Sequence, residues 1–327
     1  MPFSVTRSLA KQTTLVHLQH DDIAATIIPS AGAMLHAFNI KTGNSNFNVI
    51  DSYPSETAVE STGDWFKGVK LSPWPCRIPA GEYEFQGNKF NVSRLFSDGT
   101  ALHGLLYDQP FKIVHEFADE NSASVIMIHE YLGEDAGYPF KYSCKVQYTL
   151  RSMHSAHRSP LSALALEIVT TIKNCSTSAI PIADGWHPYF QLGGIVDDWE
   201  LEFPATSIVE FNDKLIPTGK LIPYNQFNQK KKIGAIELDN CFVVDPPSDN
   251  LVCTLSNPDN GINVQFFAES SYPYLQIFIP SFRKSIAIEN LSSAPNAFNN
   301  KMGLITLLPG ESKIFRVIYK LSLNEKK

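Results

Sequence analysis

Five side chains able to move protons or grip hydroxyl groups stand where the surrounding pattern asks for something else. Glu289 closes the apolar run Ser285-Ile286-Ala287-Ile288, and a carboxylate on an apolar strand is costly unless it is paired or hydrogen-bonded. His187, in ADGWHPYFQL, precedes Pro188. That proline removes a backbone donor and confines His187 to extended geometry, which holds the imidazole in one direction, as a positioned acid or base requires. His103 lies in TALHGLLYDQPF, Arg77 among prolines in SPWPCRIPAGEYEF, and Asp239 in AIELDNCFVV. Together a carboxylate and an imidazole suit general acid–base chemistry. Each residue also has a plainer reading. Glu289 could end a strand facing water, His187 could cap a strand in the core, and His103 could be a turn residue. Arg77 could form a structural salt bridge, and Asp239 could form an Asx turn.

Other constellations are weaker. His154-Ser155-Ala156-His157 has no Cys, Asp or Glu nearby in metal-ligand spacing, so no metal centre is expected there. The chain has no GxGxxG, GxxxxGK[ST] or GxSxG motif, and no nucleotide cofactor is expected. Glu167, in ALALEIV, reads as an outward residue of an alternating strand. Cys76 beside Arg77 has no adjacent base to activate a thiol.

The elements that must carry these residues read as strands. Period-two alternation with β-branched and aromatic residues marks 124–132, 142–150, 163–174, 262–269 and 313–323. Turn clusters at 133–137, 256–261 and 309–310 separate them. The acidic stretch Glu56–Phe66 predicts a short helix, and no segment predicts a long one. The 21 prolines and 18 glycines are spread without a linker, so the chain, 1–327, reads as one large antiparallel β-sandwich domain. A chain of this length buries ~75% of its unfolded surface and needs neither disulfide nor metal to fold. The net charge is −6 and no basic stripe stands out, which argues against nucleic acid and anionic membrane as partners. Lys230-Lys231-Lys232 reads as a solvated loop. Five widely spaced cysteines without a CxxC pair, and an N-terminus without an apolar leader, predict free thiols in the cytoplasm.

In chain order, PCRIPAGEYEF, LHG, HPYF, Leu238-Asp239 followed by Phe242, Glu289 followed by a Ser-Ala-Pro-Asn-Ala-Phe-Asn run, and the closing GLITLLPGES resemble the aldose 1-epimerases, or galactose mutarotases, from about Ala25 to Tyr319. The resemblance implies a galactose mutarotase-like supersandwich with few short helices and a monosaccharide in a cleft on its concave face. It implies Glu289 as general base, His187 as general acid, and Arg77, His103 and Asp239 as the sugar-binding group. Gln276 falls where some members line the cleft, and Trp74, Trp186, Tyr189 and Phe278 are candidate faces for sugar C–H groups. The implied reaction needs a carboxylate and an imidazolium on opposite sides of the C1–O5 unit. Glu289 would be ionised, and His187 would be raised toward its charged form by that carboxylate. The sequence departs from the family at Cys76, where many members have Asn, at Leu105 after His103-Gly104, and at Asn240. These positions touch the sugar, so the choice of sugar stays open. Three other functions are compatible with the sequence. They are a hexose-6-phosphate 1-epimerase using Lys67, Lys70 or Arg94, a non-catalytic sugar-binding module, and a glycosidase pairing Glu167 with Glu289.

Overall fold

The computed structural model describes residues 2–43, 45–55, 57–153, 163–245 and 248–323. His154 and His157 lie outside them. Strands dominate. A meander of five, from Ser4–Ala10 to Ser45–Asn48, forms one antiparallel sheet in sequence order. The segments with the clearest alternation build a nine-stranded sheet. Its first five members, in order, are Lys112–Ala118, Ser122–Tyr131, Tyr142–Met153, Ala163–Asn174 and Ser312–Leu323. Period two is visible in the last of these, where Phe315, Val317, Tyr319 and Leu321 are buried and their neighbours are not.

A second large sheet has eight strands. Through its middle run Asp239–Val244, Tyr274–Phe278, Ile286–Leu291 and Gly185–Trp186, with Tyr189–Phe190 also paired to Ile286–Leu291. The two large sheets share one hydrophobic cluster. Phe190, from the eight-stranded sheet, meets Phe266 and Tyr319 of the nine-stranded sheet at ring separations of 4.8 and 5.6 Å. The expected antiparallel sandwich is therefore present. All five cysteines are free thiols.

Among the described residues short helices are few, as expected: Ala58–Trp65 falls inside the predicted stretch, and Ala297–Asn300 is a single turn. In that turn Phe298 is buried against Trp74 and Tyr83. The lysine run differs from a plain loop. Lys231–Lys232 stay exposed but pair with Glu200–Glu202 as an edge strand, where charge discourages further strand addition. No helix among the described residues is long and apolar enough to cross a membrane.

Candidate active site

Sheet register gathers the acidic residues. Cys241 pairs with Gln276, and Gln276 pairs with Glu289; one row along, Asp239 pairs with Phe278. Directly opposed residues share a face, and so do residues two apart on a strand. Asp239, Gln276 and Glu289 therefore point to one side of the sheet. Phe242, Leu275, Ile277 and Ile288 point to the other side and join the core. Gln276 Nε2 donates to Asp239 Oδ1 at 2.9 Å, which ties the diagonal pair together.

His187 enters between two short strands. Its N–H donates to the Val69 carbonyl at 3.3 Å, and its carbonyl accepts from Gly68 at 2.8 Å. Its ring lies between Tyr189, stacked at 5.1 Å and 16°, and Phe66, at 6.3 Å and 29°. Nε2 is 3.4 Å from Glu289 Oε1. His103 stands edge-on to His187 at 5.0 Å and packs on Phe66 at 4.6 Å. His103 is placed by a tight turn. Its backbone N–H donates to the Cys76 carbonyl at 3.0 Å, and its ring Nδ1 accepts from the Cys76 amide at 3.2 Å. A neutral His103 ring therefore carries its proton on Nε2. The next residue, Gly104, has φ 78°, and a Cβ there would lie 2.2 Å from the Ser72 carbonyl oxygen, so only glycine fits. Arg77 is held through Nε to Asp98 at 3.4 Å, the structural salt bridge considered above. Its guanidinium is also close enough to pull the Asp239 and Glu289 carboxyls down.

Burial sets the electrostatics. It pushes Glu289 well above the usual carboxylate range, with Asp239 adding to the rise and Arg77 opposing it. It pushes Asp239 up as well, against Arg77 and the Gln276 hydrogen bond. His187 is lowered to about 3 by burial. His103 falls well below 6.5 through burial and then through the neighbouring His187 and Arg77. The expectation that Glu289 raises His187 is not met: burial lowers His187, opposed only by its own backbone hydrogen bond. The 3.4 Å separation overturns a second expectation: no sugar ring fits between the pair, which stands side by side. Glu289 Oε2 and Gln276 Oε1 are buried without a hydrogen-bond partner in the protein, so both acceptors are uncommitted.

The structure brings Glu289, His187, His103, Asp239 and Gln276 into one region, with Arg77 at its side. It sends other candidates elsewhere. Trp74 and Trp186 are core residues at 2% and 1% exposure, whereas Tyr189 and Phe278 meet at 6.4 Å beside His187. Glu167 lies in the nine-stranded sheet, bound to Arg151 and Arg316, so it cannot partner Glu289 as a glycosidase needs. The three cations suggested for a phosphate are already neutralised. Lys70 is fully buried on Asp184 at 2.6 Å, Arg94 pairs with Asp108, and Lys67 with Asp51. Phe66 escaped sequence reading; its only signal was its place at the end of the predicted helix.

A family model for aldose 1-epimerase matches residues 14–320. The chain belongs to the aldose 1-epimerase family. Curated relatives of this family member include the uncharacterized protein YihR of Escherichia coli K12, 29% identical over 77% of this chain and 78% of that one. The bifunctional protein GAL10 of Kluyveromyces lactis is 24% identical over 74% of this chain, which spans 38% of that relative. Among solved structures, a galactose mutarotase-like protein of Clostridium acetobutylicum superposes with a TM-score of 0.84 at 16% identity, covering 99% of both chains. Galactose 1-epimerase of Lactobacillus acidophilus superposes at 0.80 with 19% identity, also over 99% of both. At these identities the structural likeness shows the galactose mutarotase-like fold.

Proposed function

We propose that this aldose 1-epimerase family member interconverts the α and β anomers of a free aldose, with Glu289 as base and His187 as acid. The observation that carries the reading is the contact of Glu289 Oε1 with His187 Nε2 at 3.4 Å in a buried polar region. O1 and O5 of a pyranose are both bonded to C1, so one edge of the ring presents both to two adjacent side chains. Glu289 takes the O1 proton as the C1–O5 bond breaks and C1=O forms, and His187 delivers a proton to O5. After rotation about C1–C2, closure runs the same transfers backwards. Each transfer is worth ~10²–10⁴ in rate.

The pair can do this without exchanging protons with solvent. A carboxylic acid beside a neutral imidazole and a carboxylate beside an imidazolium hold the same number of protons. Burial favours the first arrangement and Arg77 opposes it at Glu289, so Glu289 acting as base requires sugar binding to favour the second. Asp239 would accept from sugar hydroxyls, while Gln276, Arg77 and the His103 Nε2–H would donate. Tyr189 and Phe278 would meet the apolar face of the ring. The test is polarimetry of freshly dissolved α-D-glucose, α-D-galactose and a panel of other aldoses. Acceleration over buffer is expected for at least one sugar, and none for any of them would end this reading. A phosphosugar reading is disfavoured by the pairing of Lys67, Lys70 and Arg94.

A further inference from the structure

We propose that Cys76, His103 and Glu289 bind a thiophilic divalent cation, zinc above all, and that this cation excludes the sugar. The Cys76 sulfur, one ring nitrogen of His103 and one carboxylate oxygen of Glu289 all lie within 4.8 Å of one another. The three residues are buried and come from separate parts of the chain: the loop before Arg77–Pro79, the turn after Thr100–Leu102, and the strand Ile286–Leu291. Thiolate, imidazole and carboxylate are the donors zinc takes, at ~2.0–2.3 Å, and three protein ligands with a fourth place open form an exchangeable zinc site. Glu289 Oε2 is buried without a partner, so the carboxylate keeps an uncommitted lone pair within the cluster.

Binding asks little of the fold. Ligand atoms around one tetrahedral zinc stand about 3.5 Å apart, so side-chain rotations of roughly an ångström suffice. His103 coordinates through Nδ1 by giving up its 3.2 Å bond from the Cys76 amide, and its proton stays on Nε2. The ion replaces the thiol proton and any proton on Glu289, and both leave to solvent. Arg77 opposes a cation here and Asp239 favours one. Because Glu289 cannot hold the ion and accept the O1 proton together, the cation shuts the site instead of taking part in the reaction.

The inference is tested by direct binding, independent of turnover. Chelator-stripped protein is titrated with Co²⁺ and then Zn²⁺. One Co²⁺ per chain is expected, with an intense near-ultraviolet thiolate-to-cobalt band that Zn²⁺ removes. Cys76→Ser should abolish the band and weaken Zn²⁺ binding by more than the ~10–100-fold that losing even a supporting partner costs. A sugar that the protein mutarotates should raise the apparent Zn²⁺ dissociation constant. Absence of the band in the native protein, or a band and affinity unchanged in Cys76→Ser, overturns the proposal. Should Cys76→Ser not fold, Glu289→Gln decides: unchanged Zn²⁺ affinity overturns it. Loss of mutarotation in Glu289→Gln without a change in Zn²⁺ affinity would sink this site while leaving the sugar reading intact.

Discussion

Glu289 and His187 oppose each other in pH as well as in the roles proposed for them. Glu289→Gln keeps the shape and removes the proposed base, so mutarotation should fall by about 10²–10⁴-fold with little change in KM. Polarimetry or anomeric exchange by NMR reads this, and an undiminished rate would remove Glu289 as the base. His187 also shapes stability. Its folded pKa is about 3 against an ordinary 6.5. Between those values the unfolded chain binds a proton that the folded chain refuses, so this residue's contribution is full above pH 6.5 and is lost as pH falls toward 3. Glu289, raised in the fold, acts the other way: it favours folding at low pH and loses that contribution as pH rises above its ordinary value. Urea unfolding of native protein and His187→Gln at pH 5 and pH 7 separates the two. The variant should gain about 2 kcal/mol at pH 5 relative to native, using 1.4 kcal/mol per pKa unit. Equal pH dependence in both proteins would show that His187 ionises freely.

At the scale of elements, two devices aim the imidazoles. The first is the reversal at His103-Gly104, where consecutive residues have φ of 59° and 78°. Gly104→Ala puts a Cβ into the Ser72 carbonyl and should cost ~2–3 kcal/mol in urea unfolding, since a strained left-handed residue carries a penalty of that order. It should also raise KM by displacing His103. The second is the interruption at Pro188, which ends Gly185–Trp186 and restarts pairing at Tyr189–Phe190 on the same partner strand. The carbonyl of Pro188 still accepts from Ile288 at 3.3 Å, so the break stays in register beside Glu289. The proline stops the strand at the residue whose side chain must face the site, and Tyr189 and Phe66 then hold the ring.

At the scale of the molecule, a fully buried ion pair underlies the site. Lys70 Nζ reaches Asp184 at 2.6 Å and the Gly185 carbonyl at 2.8 Å, and lies 4.4 Å from the Trp186 ring; Tyr272 donates to Asp184 at 2.6 Å. The network ties the strand leading to His187 to its neighbours in the eight-stranded sheet. Lys70→Met alone leaves Asp184 buried and uncompensated, and should destabilise by about 3–5 kcal/mol in urea unfolding. Replacing both partners with apolar residues should recover most of that loss. A single variant as stable as the native protein would show that Asp184 finds another partner or becomes neutral.

Much of this protein was legible in its residue order. Period-two alternation is a local property, so the long strands, the all-β class and the brevity of the helices could be read directly. Local chemistry also marked His187 before Pro188 and Glu289 at the end of an apolar run. What order along the chain could not show was distance and solvent. Trp74, Trp186, Lys70 and Glu167 looked available because exposure is decided by packing between sheets, which brings together residues far apart in sequence. The direction of the His187 shift was hidden for the same reason: only the closed fold reveals how completely its ring loses water. The meeting of Cys76, His103 and Glu289 is likewise a product of tertiary packing, because no spacing rule links a loop residue, a turn residue and a strand residue this far apart in the chain.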